Sequence, residues 1–248
     1  MTDEPTIELV EETGSTNADL LERLAEGERF SEGYWLRAER QTSGRGRLGR
    51  KWESQSGNLM CSTVVNLRPG DPSPSTLSLV TGLAVFDTVK RLLFDDTPML
   101  LKWPNDLLVN DGKIAGILLE RQGDAVVVGV GINLDEAPDL PDRRTTAVSW
   151  ENGKFANGPE SVLPRLAANL ATRLRDWRDE PLSHTLLEWT VRSHRFNDRI
   201  RITNSEGEVT LARYRGIDQD GALRVEPLGA HETIVHAGDV TLRWHDEE

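Results

Sequence analysis

The sequence predicts an α+β protein, a mixed and largely antiparallel sheet flanked by helices, with a small all-β unit at its end. Three observations predict it. Strand-like and helix-like periodicities alternate through the first 195 residues without a regular strand–helix–strand repeat. Two long amphipathic helices interrupt strands joined by tight turns. After residue 195 helical periodicity stops and five short apolar runs separated by turn clusters take over, which divides the chain into residues 1–195 and 196–248.

The elements follow in order. Thr16 to Glu26 places Leu20, Leu21, Leu24 and Ala25 on one helical face, with Ser15 or Asn17 as cap and Gly27 as stop. Tyr34 to Glu39 reads as a strand, whereas Thr42 to Lys51, rich in glycine and arginine, has no apolar periodicity and reads as a loop. Leu59 to Leu67 alternates at strand spacing. Behind the punctuation Pro72-Ser73-Pro74-Ser75 comes a helix whose face is Leu79, Leu83, Phe86, Val89 and Leu93. Asp106 to Val109 and Lys113 to Arg121 form a hairpin about Asn110-Asp111-Gly112, whose residues tolerate positive φ. Ala125 to Gly131 is the next strand, and Val162 to Trp177 is the second long helix, with Leu163, Leu166, Leu170, Leu174 and Trp177 on its face. The terminal runs at 200–202, 208–214, 222–226, 232–236 and 240–243 are parted by turns at Asn204–Gly207, Asp218–Gly221 and Ala237–Asp239, the rhythm of a five-stranded barrel or sandwich.

Composition narrows the function. With 37% hydrophobic and 28% charged residues, the 248-residue chain is neither disordered nor fibrous. No run approaches the roughly 18 apolar residues of a membrane span. Met1 to Val10 carries Asp3, Glu4 and Glu8 and no basic residue, so no secretory signal is expected and the protein is expected to be cytoplasmic. The single cysteine, Cys61, forms no internal disulfide and reads as a small core residue. Asp and Glu number 41 against 29 Lys and Arg, a net charge of -12, which argues against a nucleic-acid binder. Lysine occurs only at 51, 90, 102, 113 and 154, leaving 24 arginines among those 29 basic residues. Such an acidic, lysine-poor surface is expected to gain stability as salt screens its repulsion.

Three segments carry chemistry. Gly44-Arg-Gly-Arg-Leu-Gly49 matches the dinucleotide pattern formally, but no helical face follows it, and Lys51 is not followed by Ser or Thr as a P-loop requires. What remains is a glycine loop with Arg45, Arg47 and Arg50, which suits a phosphate and equally suits a solvated turn. Two of the five lysines fall in Lys102-Trp-Pro-Asn-Asp106 and at Lys113, which either aims a charge into a pocket or snorkels from an edge strand. Val128-Gly-Val-Gly-Ile-Asn133 ends a strand with glycines that let a ligand approach the backbone, or mark a bulge. His184, His194, His231, His236 and His245 show no ligand set.

Together and in order, Gly14-Ser-Thr-Asn17, Gln41-Thr-Ser-Gly-Arg-Gly-Arg-Leu-Gly-Arg-Lys-Trp52, Lys102-Trp-Pro-Asn-Asp106, Gly112-Lys-Ile-Ala-Gly-Ile-Leu118 and Gly129-Val-Gly-Ile-Asn133 resemble the biotin–protein ligases. The likeness continues into Arg215-Gly-Ile-Asp218 and Gly221-Ala-Leu223, similar to that family's SH3-like cap, and covers nearly the whole chain. It implies a class II synthetase-like catalytic domain over 1–195 and the SH3-like domain over 196–248. The implied reaction joins the biotin carboxylate to the α-phosphate of MgATP, then passes biotin to a lysine of a biotin carboxyl carrier domain. ATP, biotin and Mg²⁺ are the implied small molecules. Nucleic acid and membrane are not implied as partners, and a homodimer is left open.

By the same resemblance Ser15, Thr16, Asn17, Gln41, Gly44, Arg45, Gly46, Arg47, Lys113 and Gly116 would contact biotin, while Arg47, Trp52, Lys113 and Asn133 would border the nucleotide. Lys113 and Arg47 would serve catalysis by holding charge, since adenylation builds negative charge rather than needing a protein nucleophile. The arginine loop would close over the intermediate. Asp106 would help hold Mg²⁺ or cap the Trp-Pro turn. Some relatives carry an N-terminal operator-binding domain; here the first motif begins at residue 14, so a ligase without repressor function is expected. A lipoate or octanoyl transferase, or a non-catalytic phosphate- or peptide-binding module, are the alternatives.

Overall fold

The structure, a computed structural model, describes residues 4–53, 56–153, 158–204, 207–236 and 239–242. In chain order these form β1 (Thr6–Thr13), α1 (Thr16–Ala25), β2 (Tyr34–Gln41), β3 (Leu59–Asn66), α2 (Leu77–Lys90), β4 (Met99–Lys102), β5 (Asp106–Val109), β6 (Gly112–Gln122) and β7 (Ala125–Ile132). There follow α3 (Val148–Asn152), α4 (Gly158–Asp179), α5 (Leu182–Val191), β8 (Arg199–Thr203), β9 (Val209–Ile217), β10 (Leu223–Pro227), β11 (Thr233–Val235) and β12 (Asp239–Leu242).

The first seven strands make one sheet in the order β1-β2-β3-β7-β6-β5-β4. β1 and β2 run parallel and the other neighbours antiparallel, the mixed sheet that the sequence predicts. The hairpin turn has Asn110 and Asp111 at φ 46° and 64°, the left-handed pair that a two-residue connection favours. Four elements went unread: β1, β4, α3 and α5. The helical face read for α2 is too narrow. The helix is buried nearly all round, because it lies between the sheet and α4 and α5, and Leu93 falls just past its end.

Period-two alternation sorts β7 between the two sides of the sheet. Val126, Val128, Val130 and Ile132 join the large core beneath α2 and α4. Ala125 and Val127 pack on the other side with Leu20 and Leu24 of α1, Leu36 of β2 and Val64 of β3. Buried indoles fix the helices: Trp177 Nε1 donates to Thr76 Oγ1 at 2.8 Å, satisfying the one polar group that its burial would otherwise strand.

The last five strands form a second antiparallel sheet in the order β11-β10-β9-β8-β12, so all five runs read from the sequence are strands. Its inward residues Ile200, Ile202, Tyr214, Leu223 and Val225 belong to the same buried cluster as Trp103 and Trp189. Trp103 Nε1 donates to Gly221 O at 3.0 Å, which seats this sheet against the Lys-Trp-Pro turn, and Ser193 Oγ, just past α5, lies 2.8 Å from Tyr214 Oη. His194 is buried edge-on to Tyr214, with ring centroids 5.5 Å apart. Lys154, His245, Arg243 and turn residues 205–206 and 237–238 lie outside the described residues. Among the described residues no helix is long and apolar enough to cross a membrane.

Candidate active site

The cleft begins where the core under α1 changes residue type. Continuing the alternation of Ala125 and Val127, the next two positions on that face of β7 are Gly129 and Gly131, and Gly131 pairs with Gly116 of β6. Without side chains there, the sheet has a bare floor. Two neighbours fill part of it. A methyl on Gly129 would collide with the Asn17 amide, and one on Gly131 with the Trp52 indole. The glycines predicted to admit a ligand therefore first admit two of the protein's own side chains, which become part of the wall.

At the α1 end the wall is neutral and polar. Ser15, Thr16 and Asn17, at the start of α1, are buried and line the cavity. Ser15 occupies the cap position, yet its side chain makes no capping bond. The Gln41 carboxamide oxygen accepts from Thr16 N at 2.8 Å and Thr16 Oγ1 at 3.1 Å. Ser62 Oγ lies 2.7 Å from Thr16 Oγ1 and donates to Asn17 Oδ1 at 2.6 Å, while Asn17 Nδ2 donates to Glu120 at 2.9 Å. Glu120 also faces Arg45 at 3.8 Å, linking this network to the glycine–arginine loop.

At the other end the wall is cationic. β6 carries one extra residue opposite Leu107 and Leu108, a bulge that brings Lys113 Nζ to 3.1 Å from where a Gly116 Cβ would stand. The snorkelling alternative fails: Lys113 lines the cavity, 5.6 Å from the centroid of Trp52. Asp106 Oδ1 lies 2.6 Å from Lys113 Nζ, an ion pair at an angle outside hydrogen-bond geometry, and Asp106 Oδ2 lies 4.0 Å from Lys102 Nζ. Arg45, Arg47 and Arg50 reach the cavity from the loop, and Arg47 Nη1 donates to Asn105 Oδ1 at 3.5 Å. The loop holds a single turn, Arg47–Gly49, with Leu48 at φ 57°.

A second loop, from about residue 137 to 147, forms the facing wall with Pro138, Leu140, Asp142, Arg143 and Thr145. Arg143, with Arg50 beyond it, holds the Asp142 carboxyl below its usual range. Asn133 is buried and donates to Thr146 O at 3.1 Å. The cavity so enclosed is about 350 Å³, room for a small organic acid and part of a nucleotide.

Of the residues expected from the resemblance to contact biotin, nucleotide or Mg²⁺, all but Gly44 line this cavity. At that glycine a Cβ would stand 2.6 Å from Trp52 O, so its lack of a side chain lets the chain cross itself there. Ser62, Glu120 and Arg143 escaped notice. Ser62 is the one hydroxyl amid the apolar residues of its face of β3, a signal that a lone serine does not carry without its distant partners. Cys61 also borders the cavity, but burial pushes its thiol up and it is no nucleophile.

A neutral hydrogen-bonding end, a floor of glycines and a cluster of cations line one cleft, a lining that suits an enzyme acting on anionic substrates. Residues 11–135 match the model of the biotin/lipoate A/B protein ligase family. Over 238 residues the chain is 37% identical to the biotin–[acetyl-CoA-carboxylase] ligase of Mycobacterium tuberculosis, spanning 94% of this chain and 88% of that one. It is 35% identical to the ligase of the same name from Paracoccus denitrificans, over 90% and 95% of the two chains. The biotin protein ligase of Aquifex aeolicus, solved in complex with biotin and ATP, superposes with a TM-score of 0.81 at 26% identity, covering 96% of this chain and 98% of that one. The chain belongs to the biotin/lipoate A/B protein ligase family, among its biotin–[acetyl-CoA-carboxylase] ligases.

Proposed function

We propose that this chain activates biotin with ATP as biotinyl-5′-adenylate and transfers it to one lysine of a biotin carboxyl carrier domain. The observation that carries the reading is Lys113, braced by Asp106 at the junction of the polar and cationic walls. Biotin's ring system would lie in the Ser15–Asn17 and Gln41 end, its carboxylate toward Lys113 and Arg47. A carboxylate oxygen attacks the α-phosphorus, the bond to the bridging oxygen breaks, and pyrophosphate leaves. Lys113 and the loop arginines offset the charge that grows on the phosphoryl oxygens, and being fixed beforehand they need not reorganise. Trp52 and Asn133 would border the nucleotide. In the second step the carrier amine attacks the acyl carbon, an amide forms and AMP leaves.

Mg²⁺ would supply further charge neutralisation on the phosphates. Among the described residues no group of three or more His, Cys, Asp or Glu forms a cage, and Asp106 is engaged by Lys113. These residues do not fit a protein-held ion, and a magnesium bound chiefly by phosphate oxygens is the arrangement in keeping with them. The antiparallel second sheet supports an SH3-like domain over 196–248, its cap seated on Trp103 through Gly221. A cytoplasmic location accords with a cytosolic carboxylase as acceptor. The test is transfer: with biotin and MgATP, a carrier domain should gain the mass of one biotinyl group on one lysine. Labelling that needs no ATP, or takes lipoate instead, contradicts the reading.

A further inference from the structure

We propose that Asn58 is a positioning residue that ties the two loops walling the cleft into one unit, and so sets how long the activated acid is retained. The inference rests on the adenylating reaction above. Asn58 sits where β3 and β7 part. Leu59 pairs with Ile132, and beyond that pair one chain leads back into the glycine–arginine loop while the other runs on into the 137–147 loop. The Asn58 side chain is buried. Its Oδ1 accepts from the N–H groups of Leu134 at 2.9 Å, Asp135 at 3.0 Å and Glu136 at 3.3 Å, and its Nδ2 donates to Glu136 O at 2.7 Å.

The neighbouring residue makes the crossing possible. Gly57 has φ +85°, and a Cβ there would stand 2.9 Å from Asp135 Cβ. The far end of the 137–147 loop returns to the same stretch: Val148 N donates to Asn133 O at 3.1 Å and Ser149 N to Leu134 O at 2.9 Å. Residues 133–136 are thus the neck of that loop, and Asn58 plugs the neck. The loop also flanks the central cation, since Lys113 N donates to Arg144 O at 2.9 Å and Thr146 N to Lys113 O at 3.0 Å. Removing Asn58 frees each wall to open independently, and an acyl-adenylate survives only while water and bystander amines are kept out. Biotin's own affinity depends on the Thr16, Gln41 and Ser62 network and is expected to be spared.

The test compares wild type, Asn58→Ala and Asn58→Asp, each loaded with biotin and MgATP without carrier. Loss of biotinyl-adenylate, calorimetric biotin affinity and amide hydrogen exchange over residues 134–136 are followed. Asn58→Ala is expected to lose the intermediate about tenfold faster, the scale of one hydrogen bond, with faster exchange at the neck and biotin affinity within about threefold. Asn58→Asp keeps the acceptor oxygen for three N–H groups and is expected to restore retention to within about threefold. Unchanged retention in Asn58→Ala, or a fall in biotin affinity as large as the loss of retention, overturns the proposal. Should Asn58→Ala not fold, Asn58→Asp decides alone: retention near wild type with a protected neck upholds it, and rapid loss overturns it. A wild type that forms no adenylate removes the ligase reading, while exchange at 134–136 still reports whether Asn58 ties the neck.

Discussion

Lys113 Nζ stands 2.6 Å from Asp106 Oδ1 across the β5–β6 hairpin, so the cation at the centre of the cleft is held by a carboxylate rather than left to swing on its four-carbon stem. Lys113→Ala is expected to slow adenylation by about 10²-fold or more, the scale for removing a preorganised electrostatic donor. Asp106→Asn keeps the shape and removes the charge that aims the ammonium, and about a tenfold fall in kcat with a smaller change in KM is expected. Pre-steady-state adenylation rates on folded variants check both. An effect below about threefold for Lys113→Ala would return this lysine to a structural role.

Ser62 supports the opposite end. Replacing it by alanine strips Asn17 Oδ1 of its donor and Thr16 of its buried neighbour, at a cost of about 1–3 kcal/mol. Ser62→Ala is therefore expected to weaken biotin binding by about tenfold or more, with the KM for ATP nearly unchanged. Calorimetric titration with biotin, beside steady-state kinetics in ATP, separates the two. A matching rise in both constants would mean that the network shapes the whole cleft and not its head-group end.

Signals confined to neighbouring residues were legible in the sequence, and those completed by distant ones were not. The Asn110-Asp111 turn and the apolar faces of α1 and α4 lie within one stretch of chain and were readable. β1 was not, because its apolar residues Ile7 and Leu9 are exposed, while the carboxylate of Glu8 takes an ion pair from Arg23 of α1. The strand is held by backbone pairing with β2 on an edge, where side-chain pattern says little. α5 hides for a similar reason, with Leu187 and Val191 exposed and Trp189 its one buried residue. In the site, the motif residues announced themselves in short runs. Ser62, Glu120 and Asn58 act through partners 45, 103 and 76 residues away, and only the fold brings these together.

His194 gives the protein an acid-sensitive seam between its two sheets. Burial, aided by the charge of Lys102, lowers its imidazole to about 4, and neither ring nitrogen has a hydrogen-bond partner among the described residues. The unfolded chain takes up a proton below about pH 6.5 that the folded chain refuses until about pH 4. Stability is thus fully present above pH 6.5 and falls as pH drops through that window, by about 1.4 kcal/mol per unit and so about 2 kcal/mol at pH 5. Urea unfolding at pH 7 and pH 5 is expected to show this loss in wild type, and His194→Phe is expected to remove that share of it. An equal loss in both proteins would place the acid sensitivity elsewhere.

The central claim is that the braced Lys113 and the loop arginines serve adenylation of biotin, and ATP–pyrophosphate exchange reads that step without any carrier protein. Label from pyrophosphate is expected to enter ATP only when biotin is present, and to be nearly abolished in Lys113→Ala. Exchange driven by lipoate and not by biotin, or exchange indifferent to Lys113, would contradict the account.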